Sequence, residues 1–142
     1  MNRLLVLACS QRKRPDASPL PAIERYDGPA FRVLRRYRRM GQDEGLIIRI
    51  LSAEFGLIPA NKPIHNYDRR MTAERADDLR PLVAAAMYKV VGRYQPAEIF
   101  ICAGKTYLRA LDGLAEKGLP VLTARGGQGG KLAALKAWLH KR

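Results

Sequence analysis

Cysteine and histidine are scarce in this sequence, with two of each in 142 residues. Cys9 and Cys102 are too few for a disulfide scaffold, and a chain of this length buries a core without staples. With His65 they make three metal-binding side chains in no zinc-like spacing, so neither a metal nor another cofactor is expected. The cysteines read as buried structural residues, and His140 as a complement to a helix dipole. Long hydrophobic runs are missing as well. The first, residues 4–8, is only a strand in length and cannot span a membrane. No signal peptide is evident, which sets the expectation of a cytoplasmic protein.

Acidic residues are the third shortage. Thirteen Asp and Glu face 26 Lys and Arg, a formal net charge of +13. That imbalance speaks to partners rather than to fold. A phosphate-rich ligand fits it, because each phosphate neutralised by a cation releases counterions. A basic proteome or an acidic protein partner is the alternative. Arginine outnumbers lysine, which suits bidentate phosphate contacts and stacking on bases. The expected partner is therefore a nucleic acid or a nucleotide, not a membrane. The oligomeric state leaves no mark on the sequence.

What is present is an alternation of short apolar runs and amphipathic stretches. Residues 4–8 read as a strand buried on both faces, followed by a polar loop over 10–16 and a proline-rich segment. Residues 30–40 predict a helix with Phe31, Val33, Leu34 and Tyr37 inward, and Arg32, Arg35, Arg36 and Arg39 mostly on the other side. Residues 46–51 form a second strand, and 57–71 a long, proline-stiffened connection of the kind that is usually functional. Thr72 is placed to cap a long helix that Pro81 should kink or restart. Residues 98–102 give a third strand, 105–116 a helix, 120–123 a short fourth strand and 131–140 a last helix. The expected architecture is a single α/β domain over residues 1–142. It has three α/β/α layers around a four-stranded parallel sheet with strand order 2-1-3-4. Ligands of such sheets bind at the strand C-termini where the order reverses, between the first and third strands.

Four loops converge there. The first leaves the central strand with Ser10, Gln11, Arg12 and Lys13, donors suited to phosphate or to a carboxylate. The second carries Ser52, Glu54 and Phe55, joined by His65, Tyr67 and Asp68. Glu54 stands among apolar neighbours, which suits a general acid or base but equally a surface ion pair with an arginine. Asp68 suits activation of water, acceptance from a base edge, or bracing of its loop. Gly104 and Lys105 begin a helix after the third strand, where anions are attracted. This is not a phosphate-binding P-loop, since the required first glycine falls at Ile99. Gln128 lies between glycine pairs in a turn whose amides can wrap a ligand.

Taken together, residues 8–13, 26–31, 51–58, 67–68 and 103–107 resemble a widespread bacterial and phage family, the domain of unknown function numbered 6884. The resemblance runs over nearly the whole chain, and the family name carries no activity. The Cys-Ser-x-x-Lys opening also resembles part of the core domain of archaeosine synthase. That likeness implies base chemistry through Lys13, although the family's neighbouring Pro-Tyr and Ser-His elements are absent. Residues 99–105 are similar to a segment of the uracil-DNA glycosylase superfamily. Its water-activating loop and His-Pro-Ser element are missing here. Residues 51–57 are similar in outline to the bacterial peroxide-stress protein family.

These readings set three expectations. The leading one is a glycosylase-like enzyme acting on a nucleobase or N-glycosidic linkage, with Glu54 and Asp68 as the catalytic candidates. Ser10, Gln11, Arg12, Lys13, Ser52, Phe55, His65, Tyr67, Gly104, Lys105 and Gln128 would then bind the substrate. The second is a non-catalytic nucleic-acid binder using the surface of Arg32, Arg35, Arg36 and Arg39. The third is a nucleotide sensor in stress or phage defence.

Overall fold

Four successive residues, Leu4, Leu5, Val6 and Leu7, are buried in the first strand, β1 (Arg3–Ala8), which requires apolar cover on both faces. The computed structural model describes residues 2–114 and 118–141. In it β1 lies between two parallel neighbours, β3 (Leu46–Ser52) and β6 (Glu98–Cys102). Leu5 is aligned with Ile48 on one side and Phe100 on the other. The short β7 (Val121–Thr123) extends the sheet in parallel beyond β6. The protein is thus mixed α/β, and its parallel strands keep the expected relative order.

The expectation of a four-stranded, wholly parallel sheet needs correction. A fifth strand, β4 (Gly56–Pro59), folds back antiparallel on the outer edge of β3, giving the order β4-β3-β1-β6-β7. Gly56 makes the hairpin possible by adopting φ +76°. A four-residue strand is too short to show a period of two, so it is hidden in the sequence as part of a loop. The connection after it also carries structure. Leu20–Pro21 (β2) and Pro63–Ile64 (β5) pair antiparallel, and Ala22–Arg25 forms one helical turn, α1.

Two apolar layers flank the sheet. On one face Leu5, Leu7, Ile50 and Phe100 pack with Phe31 and Leu34 of α2 (Pro29–Arg39) and with Leu135 and Trp138 of α5 (Gln128–His140). Trp138 stacks on Phe100 with ring centroids 5.0 Å apart. On the other face Leu4, Val6, Ile99 and Ile101 meet Leu79, Val83 and Met87 of α3 (Ala73–Tyr94). Thr72 caps α3, its Oγ1 accepting from the Arg75 N–H at 3.0 Å. The helix runs continuously through the exposed Pro81. No helix among the described residues is long and apolar enough to cross a membrane.

Two helix boundaries differ from expectation. After β6 comes only a single turn, α4 (Lys105–Leu108), continued as a 3-10 turn through Leu111. The expected end of that helix, Glu116, lies outside the described residues. The last helix begins at Gln128 rather than Lys131, so Gly129 and Gly130 are helical and not a flexible turn. Core contacts of Leu135, Trp138 and Leu139 hold the helix in place and outweigh the glycines' poor propensity.

Candidate functional site

The chain leaves β1 toward one sheet edge and β6 toward the other, so their C-terminal ends open a crevice at the switch point. Two adjoining clefts occupy it. The smaller, about 300 Å³, is walled by Lys13, Arg69, Arg70 and Lys105, with Asp68, Thr106 and Tyr107 beside them. The larger, about 600 Å³, lies over the first turns of α2 and α5 and has apolar walls from Leu7, Phe31, Cys102 and Leu132. Arg12, Gln128 and Lys131 supply much of its polar edge. Cys9, Ser10, Gln11 and Gly104 line both clefts. One cleft is therefore cationic and the other largely apolar, and the loop after β1 divides them.

Beneath this divide lies a buried hydroxyl network. The Tyr26 hydroxyl donates to Ser52 Oγ at 3.2 Å and is bonded to the Tyr67 hydroxyl, which lies 2.9 Å from Ser52 Oγ. Ser52 Oγ also accepts the backbone N–H groups of Glu54 and Phe55, both at 3.1 Å, and so shapes the turn into β4. Phe55 meets the Tyr67 ring edge-on. The Lys13 ammonium lies 4.6 Å from the centre of the Tyr67 ring. On the other side, Cys9 Sγ and the Tyr107 hydroxyl are 3.1 Å apart. Burial pushes the Tyr67 and Tyr107 hydroxyls well above the usual phenol range, with the nearby Cys9 adding to the effect.

Burial likewise raises Tyr26 from 10.0 to about 12, an effect that Cys9 reinforces and hydrogen bonds with Ser52 and Tyr67 oppose. A phenol that holds its proton more tightly in the folded state contributes stability that is complete below pH 10. That contribution disappears as the pH rises through about 12. Alkaline titration followed by circular dichroism should show stability lost over this interval. Tyr67 and Tyr107 contribute in the same direction, so Tyr26→Phe should lessen the dependence without abolishing it. A variant with the wild-type profile would exclude Tyr26 as a contributor.

The Ser10 side chain is occupied in shaping the loop. It donates to the Arg12 carbonyl at 2.7 Å and accepts the Gly28 N–H at 3.2 Å. A Cβ on Gly28 would lie 2.8 Å from the Ser10 Cβ, so the residue opposite Ser10 must be glycine. Asp27 beside it gathers Arg32, Arg35 and, at 3.8 Å, Arg12. Hydrogen bonds from Arg32, helped by Arg35, hold its carboxyl down to about 2.

A family model describing DUF6884, a family of unknown function, matches residues 4–138. The chain belongs to DUF6884. No curated protein matches it. In this DUF6884 domain, the expected site residues separate into distinct groups. Ser10, Gln11, Arg12, Lys13, Asp68, Gly104, Lys105 and Gln128 converge on the paired clefts. Ser52 lies fully buried beneath them, with Tyr67 packed against it and Phe55 behind. Glu54 is turned toward Arg69, with a 3.2 Å ion pair, and lines neither cleft. His65 is exposed and lines neither cleft. Among the described residues no group of three His, Cys, Asp or Glu side chains is placed to hold a metal ion.

The expected arginine surface also divides. Arg35 is turned inward, donating to the carbonyls of Ile23 and Tyr26 and to Asp27, all within 2.8 Å. Its long stem lets it reach across α2's shoulder, which helical periodicity does not register. Arg32, Arg36 and Arg39 are exposed. The residues overlooked from sequence are Tyr26, Tyr107, Arg69 and Arg70. The signal available for Tyr107 is its place just after the third strand, where polar aromatics are commonly held for a ligand or network. Tyr26 closes the short α1 turn and had no such signal.

Proposed function

We propose that this DUF6884 protein binds a nucleotide unit, free or within a nucleic acid, and acts on its base or N-glycosidic linkage. The observation that carries this reading is the pairing of a cationic cleft with a larger, mainly apolar one across a shared loop. Phosphate is matched by Lys13, Arg69, Arg70 and Lys105, and a planar base by the walls of Leu7, Phe31 and Leu132. Gln128 and Gln11 supply the donors and acceptors that a base edge requires.

Asp68 is the only carboxylate among the described residues lining either cleft. In hydrolysis it orients a water molecule toward the anomeric carbon and balances the positive charge that develops on the sugar. The carbon–nitrogen bond breaks, the water oxygen bonds to that carbon, and the base leaves with a proton.

A thermal-shift screen over nucleotides, modified bases and short oligonucleotides tests the binding. A ligand at a hundredfold excess over its Kd stabilises by about 2.7 kcal/mol, a rise of roughly 10 °C for a domain this size. Absence of a shift with every nucleotide, base and oligonucleotide would overturn the proposal.

A further inference from the structure

The large cleft does not end at the first turns of α2 and α5. The same two helices run side by side away from it, both starting at the strand C-terminal end. Along their seam lies a groove of about 450 Å³ with Arg32 and Arg36 on one wall and Lys136 and His140 on the other. Val33 and the exposed Met40 supply apolar surface between them. No acidic side chain lines this groove among the described residues. Asp27 neutralises part of Arg32 from the side, yet it is shared with Arg35 and Arg12, so positive charge remains in excess.

We infer that the α2–α5 seam is a track for single-stranded nucleic acid that delivers one nucleotide into the large cleft. The inference rests on the proposed function and adds that the substrate is a polymer. Three features favour a single strand over a free nucleotide or a duplex. The cations continue past the space one nucleotide fills. From Lys131, at the cleft, to Lys136 in the groove is about 8 Å along the helix axis at 1.5 Å per residue, the span of about two stacked nucleotides at roughly 3.4 Å each. Second, basic walls around apolar surface match a strand that presents phosphates and unpaired base faces together. Third, a base can enter the cleft only from outside a duplex stack.

Fluorescence anisotropy with a labelled oligothymidylate of about 12 nucleotides, a length within known single-strand site sizes, tests the track over a range of salt concentrations. Thymidine monophosphate binding is measured in parallel. Arg36→Ala with Lys136→Ala changes two exposed side chains that no core contact uses, and an unchanged Tm confirms the fold. The oligonucleotide should bind the wild-type protein more tightly than the mononucleotide. In the double variant its affinity should fall roughly tenfold, and its log–log salt slope should shrink by about 1.4, two phosphates' worth for a single strand. Mononucleotide affinity should stay within about twofold, since neither side chain reaches the cleft. Oligonucleotide affinity and slope that are unchanged in the variant overturn the track. So does equal affinity for monomer and oligomer, or displacement by polyglutamate as readily as by unlabelled oligonucleotide. If the mononucleotide fails to bind while the oligonucleotide still depends on Arg36 and Lys136, the track stands and the cleft reading fails.

Discussion

Asp68→Asn is expected to lower turnover of the nucleobase substrate by about 10²–10⁴-fold, the usual worth of a positioned general base or acid. The expectation follows from geometry. Asp68 is exposed and lines the smaller cleft, whereas Glu54 lines neither cleft and is engaged with Arg69. Asparagine keeps the shape and one acceptor but cannot take up a proton or carry the charge that balances an electron-poor sugar. Substrate affinity should change only a few-fold, because the phosphate contacts of Lys13, Arg69, Arg70 and Lys105 are untouched. The matched control is Glu54→Gln, which breaks the ion pair and frees Arg69 on the cleft wall, so its effect should be a few-fold change in substrate affinity with turnover retained. That exposed pair is worth about 0–1 kcal/mol. Steady-state kinetics on whichever substrate the screen identifies decides between them. Full activity in the Asp68 variant with lost activity in the Glu54 variant would reverse the assignment. Full activity in both would point to the non-catalytic binder.

The second large effect concerns folding. Arg25→Ala should destabilise the domain by about 3–5 kcal/mol, the range seen when a buried charged group is removed from its partners. Arg25 is fully buried, and its guanidinium donates to the carbonyls of Arg14 at 2.6 Å, Asp16 at 3.0 Å, Ser18 at 2.7 Å and Ile64 at 3.3 Å. These carbonyls belong to the stretch just before β2 and to β5, so one side chain ties two irregular segments to α1. Truncation leaves acceptors without donors, each costing about 1–3 kcal/mol where water cannot reach. Arg25→Lys should recover only part of the loss, because one ammonium cannot span the fork of a guanidinium. Urea unfolding measures both variants. Near-wild-type stability in Arg25→Ala would mean that the loop finds its order elsewhere, for example through the Lys13–Tyr26 backbone bridge.

How far the sequence carried the reading depends on what kind of information each feature needs. The β1, β3 and β6 strands and the α3 helix were legible because their apolar runs are long enough to display a period. The grouping of the loops after β1, β6 and β7 followed from the handedness of parallel crossovers. Lys13 and Lys105 line the smaller of the adjoining clefts there, joined by Asp68 from the connection after β5, and Gln128 lines the larger. β4 and α1 were not legible. Each spans only four residues, too few to show a period; β4 is held by its hairpin with β3, and α1 by the distant carbonyls of Ala60 and Lys62.

The sharper limit lies with the polar side chains. Composition alone determined that this protein carries a large excess of positive charge, and periodicity alone determined the alternation of strands and helices. Neither decides where an arginine points. Arg25, Arg35 and Arg36 are the same residue type within a dozen positions of one another, yet one is entombed, one braces Asp27 and one faces solvent. The same holds for Glu54 and Asp68, which look alike as candidates, yet only Asp68 lines a cleft while Glu54 is paired with Arg69. Hydrophobic burial depends on local pattern, so a sequence reveals it. The direction of a long charged side chain depends on which carbonyls and carboxylates the finished fold places within reach, and only the tertiary structure supplies them.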